Sequence, residues 1–466
     1  MSNDLTPNTG WSALRQGCGL AQISILCLGV WLHAANSMLV ATTLPSAVME
    51  FGGAHLVSWA FTLYLLGSVL AGSMTGLLVS QWGLKPAIMG AVSLYTAGTI
   101  ICAITPNMEI MLFGRLTQGL GGGGLVALTF VAVNRWYDSH VLPRAMALIS
   151  AVWSTSAFMG PLIGGSFATY GNWRMAFWLF VLQAFVFVVL ALFIIKPNTT
   201  RVTVEKIAIP VVRLSVLTGA VLAMAMAGIY FNFMWSIIFA ATSLLLLWKF
   251  LRLDAQAPAK MFPSDPFTLG SRRGAGMTLL FLASASGMSF LVFGTFLLER
   301  LFDATPLVAG YIVAIESVAW GVGAVTFAGV QQSREKLLIH TGSFFILITL
   351  VGYAFALASD LLWWVAICAL FQGLGFGMMW GFVAKRVIAD TDNTERDVAS
   401  SSIPTTEQIG FALGAAATGL VANSLGFDES MTNVQLKQIA FWLFAAFTPL
   451  MLYANFAAWK LLNNSH

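Results

Sequence analysis

The chain has 466 residues, of which 58% are hydrophobic and only 9% charged, with a mean hydropathy of +0.83 and a formal net charge of +4. So little charge cannot cover the surface of a water-soluble domain. Apolar runs of about 20 residues, long enough to cross a bilayer, recur along the whole chain, and the alternation of a transmembrane barrel is absent.

The fold class that follows is an all-α polytopic membrane protein. Fourteen spans are predicted at 21–49, 55–80, 86–105, 109–133, 146–168, 175–196, 210–230, 232–251, 273–299, 307–329, 337–357, 361–384, 399–422 and 438–460. The first run lacks a small-residue cleavage site and continues as a full span, so it reads as a helix and not a signal peptide. Short connections make each helix antiparallel to the next. The join at "GIYFNF" (228–233) is the tightest, and a single re-entrant hairpin is the other reading of spans seven and eight.

A cytoplasmic N-terminus puts 19 of the 23 basic residues on the inside, among them Arg15, Lys85, Arg135, Lys196, Arg201, Lys206, Arg213, Lys260, Arg273, Lys385 and Arg386. Arg174, Arg300 and Lys437 fall outside, and Arg115 lies within a span. The positive-inside rule then supports an even number of spans with both termini cytoplasmic.

The four cysteines (Cys18, Cys27, Cys102 and Cys368) form no CxxC pair, and the five histidines make no HxxxH or HExxH spacing. Neither a disulfide framework nor a metal site is expected. A Walker A pattern is also missing, so ATP is not expected to drive the chain.

"LTQGLGGG" (116–123) matches "LFQGLGFG" (370–377) at an offset of 254, and the same offset carries "SAFMG" (156–160) onto "GFALG" (410–414). Two matches at one offset suggest that spans 1–6 and 9–14 are homologous halves, with spans seven and eight inserted between them. Such parallel repeats build many secondary transporters, with the substrate site between the halves. The predicted organisation is a tail at 1–20, a six-helix bundle at 21–196, a linker carrying two extra helices at 197–272, a second bundle at 273–460 and a tail at 461–466.

Several motifs in order resemble the major facilitator superfamily, in particular its fourteen-helix drug:proton antiporter branch. "GLLVSQWGLKPAIMG" (76–90) is similar to the family's G-x-L-a-D-R-x-G-R-K loop, with Gly76, Leu78, Gly83 and Lys85 in place. Ser80 stands at the acid that helps lock the cytoplasmic gate in the family, so this gate is expected to close by weaker or different contacts. "RLTQGLGGG" resembles R-x-x-Q-G-x-G through Arg115, Gln118, Gly119 and Gly121. "STSAFMGPLIGG" (154–165) resembles the antiporter motif through Gly160, Pro161, Gly164 and Gly165, with Ser156 replacing its first glycine. "NWRMAFW" (172–178) also fits the branch. "ANSMLVATTLP" (35–45) is similar to the branch's first span, except that Asn36 stands where an acid is usual.

Polar residues inside spans mark the candidate site, because an ionisable group at membrane depth is costly and tends to be kept for function. Glu316 is about nine residues into span ten, roughly 14 Å along it. It cannot reach the interface, so it reads as a proton-coupling carboxylate or as a permanently protonated helix–helix donor. Glu407 lies shallower in span thirteen, where a solvated vestibule is the competing reading. Arg115, roughly 9 Å deep, would tune a proton site, or would be a structural arginine bonded to Asn36. Asn36, Gln118, Trp320 and Gln372 are candidate substrate contacts. Gly76, Gly83, Lys85, Gly160, Pro161, Gly164 and Gly165 are candidate gating positions.

The resemblance implies a non-enzymatic, monomeric transporter of the inner membrane, embedded in lipid and working by alternating access. Its expected partners are protons and a small, partly hydrophobic organic compound, with no nucleic acid and no cofactor. Proton-coupled export (antiport) is expected, and a proton-coupled importer or uniporter of one metabolite is the alternative.

Overall fold

The computed structural model describes residues 19–137, 141–195, 210–229, 233–359, 361–392, 394–428 and 430–463. Arg15, Cys18, Lys196, Arg201, Lys206, Asp360, most of the first tail and the turn between spans seven and eight lie outside the described residues. Apart from one short 3-10 turn (Ala54–Leu56), every regular element among them is an α-helix. In hydrocarbon the backbone must satisfy its own hydrogen bonds, and a helix does so within one segment.

The first half comprises α1 (Leu20–Phe51), α2 (Val57–Trp82), α3 (Leu84–Ile104), α4 (Met108–Trp136), α5 (Leu142–Tyr170) and α6 (Arg174–Ile194). Next come α7 (Val211–Ala227) and α8 (Phe233–Ala255). The second half comprises α9 (Arg272–Phe302), α10 (Pro306–Phe327), α11 (Gln332–Ala358), α12 (Leu362–Ala389), α13 (Arg396–Ser424), α14 (Asn433–Ala445) and α15 (Thr448–Asn463).

The last two helices together make the fourteenth span. It is not the continuous helix expected at 438–460. The helix breaks at Ala446 and Phe447, just before Pro449, which has no amide hydrogen to give back to the preceding turn. Twelve of the fourteen segments are long and apolar enough to cross a membrane. The other two have separate reasons for falling short. α7 is only 17 residues long. α13 carries Ser402, Thr406 and Thr418, all buried in the bundle and away from lipid.

The two halves are built alike. α1 packs on α5, α2 on α4, and α3 on α4 and α6. In the second half α9 packs on α13, α10 on α12, and α11 on α12 and the broken last span. Between halves, α5 lies along α10 and α2 along α13, while α1 crosses α9. At that crossing Thr295 donates its hydroxyl hydrogen to the Ala41 carbonyl, and these residues are separated by 254 positions, the repeat offset itself. The pseudo-two-fold axis therefore passes between them.

The halves are joined at the end where α5 and α13 finish. Gly165 lies so close to α10 that an added Cβ would stand 2.6 Å from Leu307 Cα. Its repeat partner Gly419 lies equally tight against Ser58 of α2. Beside them the Leu307 amide donates to the Thr169 hydroxyl at 3.3 Å, and Asn423 Nδ2 donates to the His55 carbonyl at 2.7 Å. Thr169 and Asn423 are again repeat partners. At the opposite end Gly72 and Gly76 of α2 have no neighbour within 4 Å of where a Cβ would stand.

α7 packs on α13 and α2 and covers that seam only. The segment from α8 to α9 is stitched to the second half. Asp254 pairs with Arg213 and accepts the Met261 and Phe262 amides at 3.0 and 2.9 Å. Glu395 accepts from the Ser264 hydroxyl at 2.6 Å, the Ser264 amide at 3.0 Å and Lys260 at 3.2 Å. The run 388–397 looks in sequence like a solvated loop, but its acids hold the linker: Asp390 also accepts the Arg273 amide at 3.1 Å.

Those donors to Glu395, the Ser264 hydroxyl first, hold its carboxyl at about 2, below the usual 4.5. A depressed carboxylate adds stability above its unfolded value and loses it as pH falls toward the folded one. Glu395→Gln should therefore cost about 1–3 kcal/mol at pH 7. Its gap from wild type in thermal unfolding should close as pH falls from 4.5 toward 2. Gly165→Val should force α5 off α10, at about 1–3 kcal/mol. This should be read as a lower melting temperature and faster maleimide labelling of a cysteine substituted at Ala168.

Candidate transport site

The glycines of the two "QGLG" repeats set the geometry of both polar clusters. Gly119 on α4 has no room for a Cβ against the Tyr64 backbone of α2. Its repeat partner Gly373 on α12 has none against the Glu316 carbonyl of α10. Each close approach buries the glutamine just before it: Gln118 and Gln372 are both fully enclosed.

In the first half Arg115 is wholly buried. Its Nη1 donates to Asn36 Oδ1 at 2.7 Å and to Gln118 Oε1, and its Nε donates to the Ala60 carbonyl at 3.3 Å. The guanidinium lies 4.0 Å from the centre of the Tyr64 ring, a cation–π contact. Nη2 has no partner. No carboxylate among the described residues lies within ion-pairing distance. The network continues outward. Gln118 Nε2 donates to Thr99 at 2.9 Å, Tyr64 donates to the His33 carbonyl at 2.9 Å and meets His33 Nδ1 at 2.8 Å, and Tyr95 donates to the Leu32 carbonyl at 2.8 Å.

In the second half Glu316 is the eleventh of the 22 residues of α10. It is half-buried, and Gln372 Nε2 donates to its Oε1 at 2.8 Å. Again no described cation pairs with it. One turn along α10, Trp320 stacks on Phe376 of α12 at 4.7 Å. Gln372 Oε1 and the Tyr353 hydroxyl are both buried without partners. Tyr353 stacks on Phe290 at 4.3 Å.

The structure thus brings Arg115, Asn36 and Gln118 into one cluster and Glu316, Gln372 and Trp320 into another. Glu407 stands apart on α13, beside the Trp380 indole, whose buried N–H lacks an acceptor in hydrogen-bonding geometry. Asn36, Gln118 and Gln372 are all fully enclosed in this state.

Among the gating positions, Gly160 and Gly164 seat α5 against the Ala35–Thr42 stretch of α1, and Pro161 touches α10 near Gly310. Gly83 has φ +85°, a left-handed conformation glycine adopts freely, and links α2 to α3. Lys85 donates to the Leu192 carbonyl at 2.7 Å, within its own half. Ser80 bonds to the Leu77 carbonyl of its own helix at 2.8 Å. In "NWRMAFW", Trp173 donates to Glu50 at 2.8 Å and ties α6 to the end of α1.

Sequence reasoning missed His33, Tyr64, Thr99, Tyr95, Tyr353 and Trp380. His33 sits in an apolar run, the signal that singled out Glu316, but its neighbours carried no metal spacing. Thr99 and Tyr353 are repeat partners that flank the two glutamines, a relation visible only once the offset is extended beyond the glycine motifs.

The Major Facilitator Superfamily profile matches residues 26–415. A "Probable multidrug-efflux transporter" of Mycobacterium tuberculosis is 28% identical over 417 residues, covering 86% of this chain and 87% of that protein. The multidrug efflux pump SdrM of Staphylococcus aureus is 22% identical over 427 residues, covering 88% and 91%. The fold matches a peptide transporter bound to sulfate (TM-score 0.68, 14% identity, 94% of each chain). It also matches a D-xylose–proton symporter (TM-score 0.66, 13% identity, 94% and 96%). With fourteen membrane helices in two like bundles and a matching profile over most of its length, the chain belongs to the Major Facilitator Superfamily of transporters.

Proposed function

We propose that this transporter is a proton-coupled antiporter that exports a small, partly hydrophobic compound by alternating access. Its two bundles, 21–196 and 273–460, would act as the moving bodies. The observation that carries the coupling is Glu316, a carboxylate at mid-span whose one hydrogen-bond partner is the neutral Gln372. With no cation to compensate it, its charged form is costly, so gain and loss of a proton bias which packing of α10 is preferred. Export as the direction rests on the efflux names of the relatives.

Basic residues favour cytoplasmic termini. In that orientation the end joined by Gly165 and Gly419 faces outward, and the end of α2 at Gly72 and Gly76, where no neighbour packs close, faces the cytoplasm. Glu407 lies on α13, which packs on α2, and Glu316 on α10, which packs on α5. Each carboxylate thus lies on a helix that borders an inter-half seam, while its own side chain turns to α12, Glu316 to Gln372 and Glu407 to Trp380. Arg115 holds its cluster through neutral partners and gives the first half a buried positive charge opposite in sign to Glu316. Asn36, Gln118, Trp320 and Gln372 would meet substrate or its path when the halves rearrange. Ser80, bonded within its own helix, favours a second reading as an importer or uniporter, because the family's gate-locking acid is missing.

Proteoliposomes under an imposed pH gradient decide direction and coupling together. Wild type is expected to move substrate against proton flow. Glu316→Gln should abolish the pH-driven component while keeping substrate binding. Unchanged pH-driven flux in that variant would end the coupling role of Glu316. Asn36→Leu should destabilise the protein by about 2–3 kcal/mol in thermal unfolding, since it removes a neutral partner from a buried cation that already has one nitrogen unsatisfied.

A further inference from the structure

A cavity of about 270 Å³ lies at the joined end, between the last turns of α1 and α9. Pro45 and Met49 of α1 and Phe296 of α9 give it apolar walls, and Glu299, Arg300 and Asp303 give it polar ones. It sits one helical turn beyond the Ala41–Thr295 contact, on the pseudo-two-fold axis. An occupant would touch both halves at once.

Its charges are unevenly satisfied. The Arg300 guanidinium reaches the Met431 carbonyl at 3.2 Å and lies 6.0 Å from the Phe296 ring centre. Asp303 is exposed and ends α9 in a left-handed turn. Glu299 is half-buried and lines the cavity: its Oε1 is enclosed by protein and meets no donor among the described residues, so the carboxylate faces the cavity with its other oxygen. No described cation pairs with this carboxylate, and a charged donor supplied to it from the cavity is worth more than an ordinary hydrogen bond.

We infer that this cavity is an outer binding site for a protonated amine carrying an apolar body. The ammonium group supplies Glu299 with charge and N–H donors together. The apolar body covers Pro45, Met49 and Phe296. A quaternary ammonium brings charge without a donor, and a neutral compound brings no charge, so both should bind less well. The inference does not depend on proton coupling or on Glu316.

The test reads this cavity alone. Ala304 lines it, so Ala304→Cys in the full-length purified protein reports access through its rate of modification by a charged maleimide. The probes are 4-phenylbutylamine and the trimethylammonium compound with the same body. The amine is expected to slow labelling in a saturable way, with the trimethylammonium compound at least about tenfold weaker, the difference one charged hydrogen bond makes. Adding Glu299→Gln should weaken protection by the amine to a similar degree, and Glu299→Asp should retain most of it. No protection by the amine, equal protection by the trimethylammonium compound, or protection that survives Glu299→Gln would each overturn the site. Should the Gln variant fail to fold, the comparison of the two probes on the Ala304→Cys protein still decides.

Discussion

Backbone-to-backbone approach at the two "QGLG" repeats is the constraint on which the rest of this structure depends. Lipid is as apolar as a leucine side chain, so burial alone does not drive helices together in a membrane. Small residues do so by letting backbones meet. Gly119 and Gly121 bring α4 against α2 and α3, and Gly373 and Gly375 bring α12 against α10 and α11. A side chain at any of these positions would push a helix outward. Gln118 would then lose Thr99 of α3, and Gln372 would lose Glu316 of α10.

The same scaffold carries ionisable groups of opposite type in its two halves, a guanidinium and a carboxyl. Gln118 offers its oxygen to Arg115, and Gln372 offers its amide nitrogen to Glu316. An amide can do either because it is donor and acceptor at once. Neither charge is neutralised by a described partner, so each half holds a polar centre whose cost depends on how much water reaches it. In the first half the cost is spread over Asn36, the Ala60 carbonyl and the Tyr64 ring. In the second half one hydrogen bond serves Glu316, and two buried acceptor or hydroxyl groups nearby go unused. The first half also keeps two unused groups, Arg115 Nη2 and Asn36 Nδ2, so the halves differ in the number of bonds that hold the ionisable group and not in the number left open.

Much of this was legible beforehand. Span count, the 254-residue repeat and the odd position of Glu316 follow from hydropathy, identity and spacing, which are local properties of a chain. The repeat gained its firmest support from something no alignment of motifs supplies, the contact of Ala41 with Thr295 across the axis. Facing was not legible. A lone polar residue in an apolar run announces its cost but not its direction, so Arg115 could be placed at depth without knowing that Tyr64 lies beneath it. The break before Pro449 was readable, since a proline without a donor stood in view. Proline alone does not foretell such a break, since Pro45, Pro161 and Pro404 all sit inside helices that continue. Charge density at 388–397 signals solvent, yet the partners of Asp390 and Glu395, the Arg273 amide of α9 and Ser264 of the linker, lie more than a hundred positions away.

The inserted hairpin breaks the symmetry that the repeat creates. At the joined end the α5–α10 and α2–α13 seams are sealed by equivalent residues, Gly165 with Thr169 and Gly419 with Asn423. Only the second seam is backed by α7, whose Gly228 lies against Leu420 of α13. The Asp254 cluster ties the end of α8 to α7 and the linker, and Glu395 ties that linker to the second bundle. If the halves move as proposed, a hairpin fastened in this way would travel with the second half and slide past α2. Alternating access then costs different amounts along the two seams, because α5 and α10 part against lipid while α2 and α13 part under a helix that must shear with them. The unbacked seam is bordered by α10, the helix that carries Glu316 on its α12 side, so in the proposed mechanism a shift of α10 driven from that carboxylate would meet the least opposing packing.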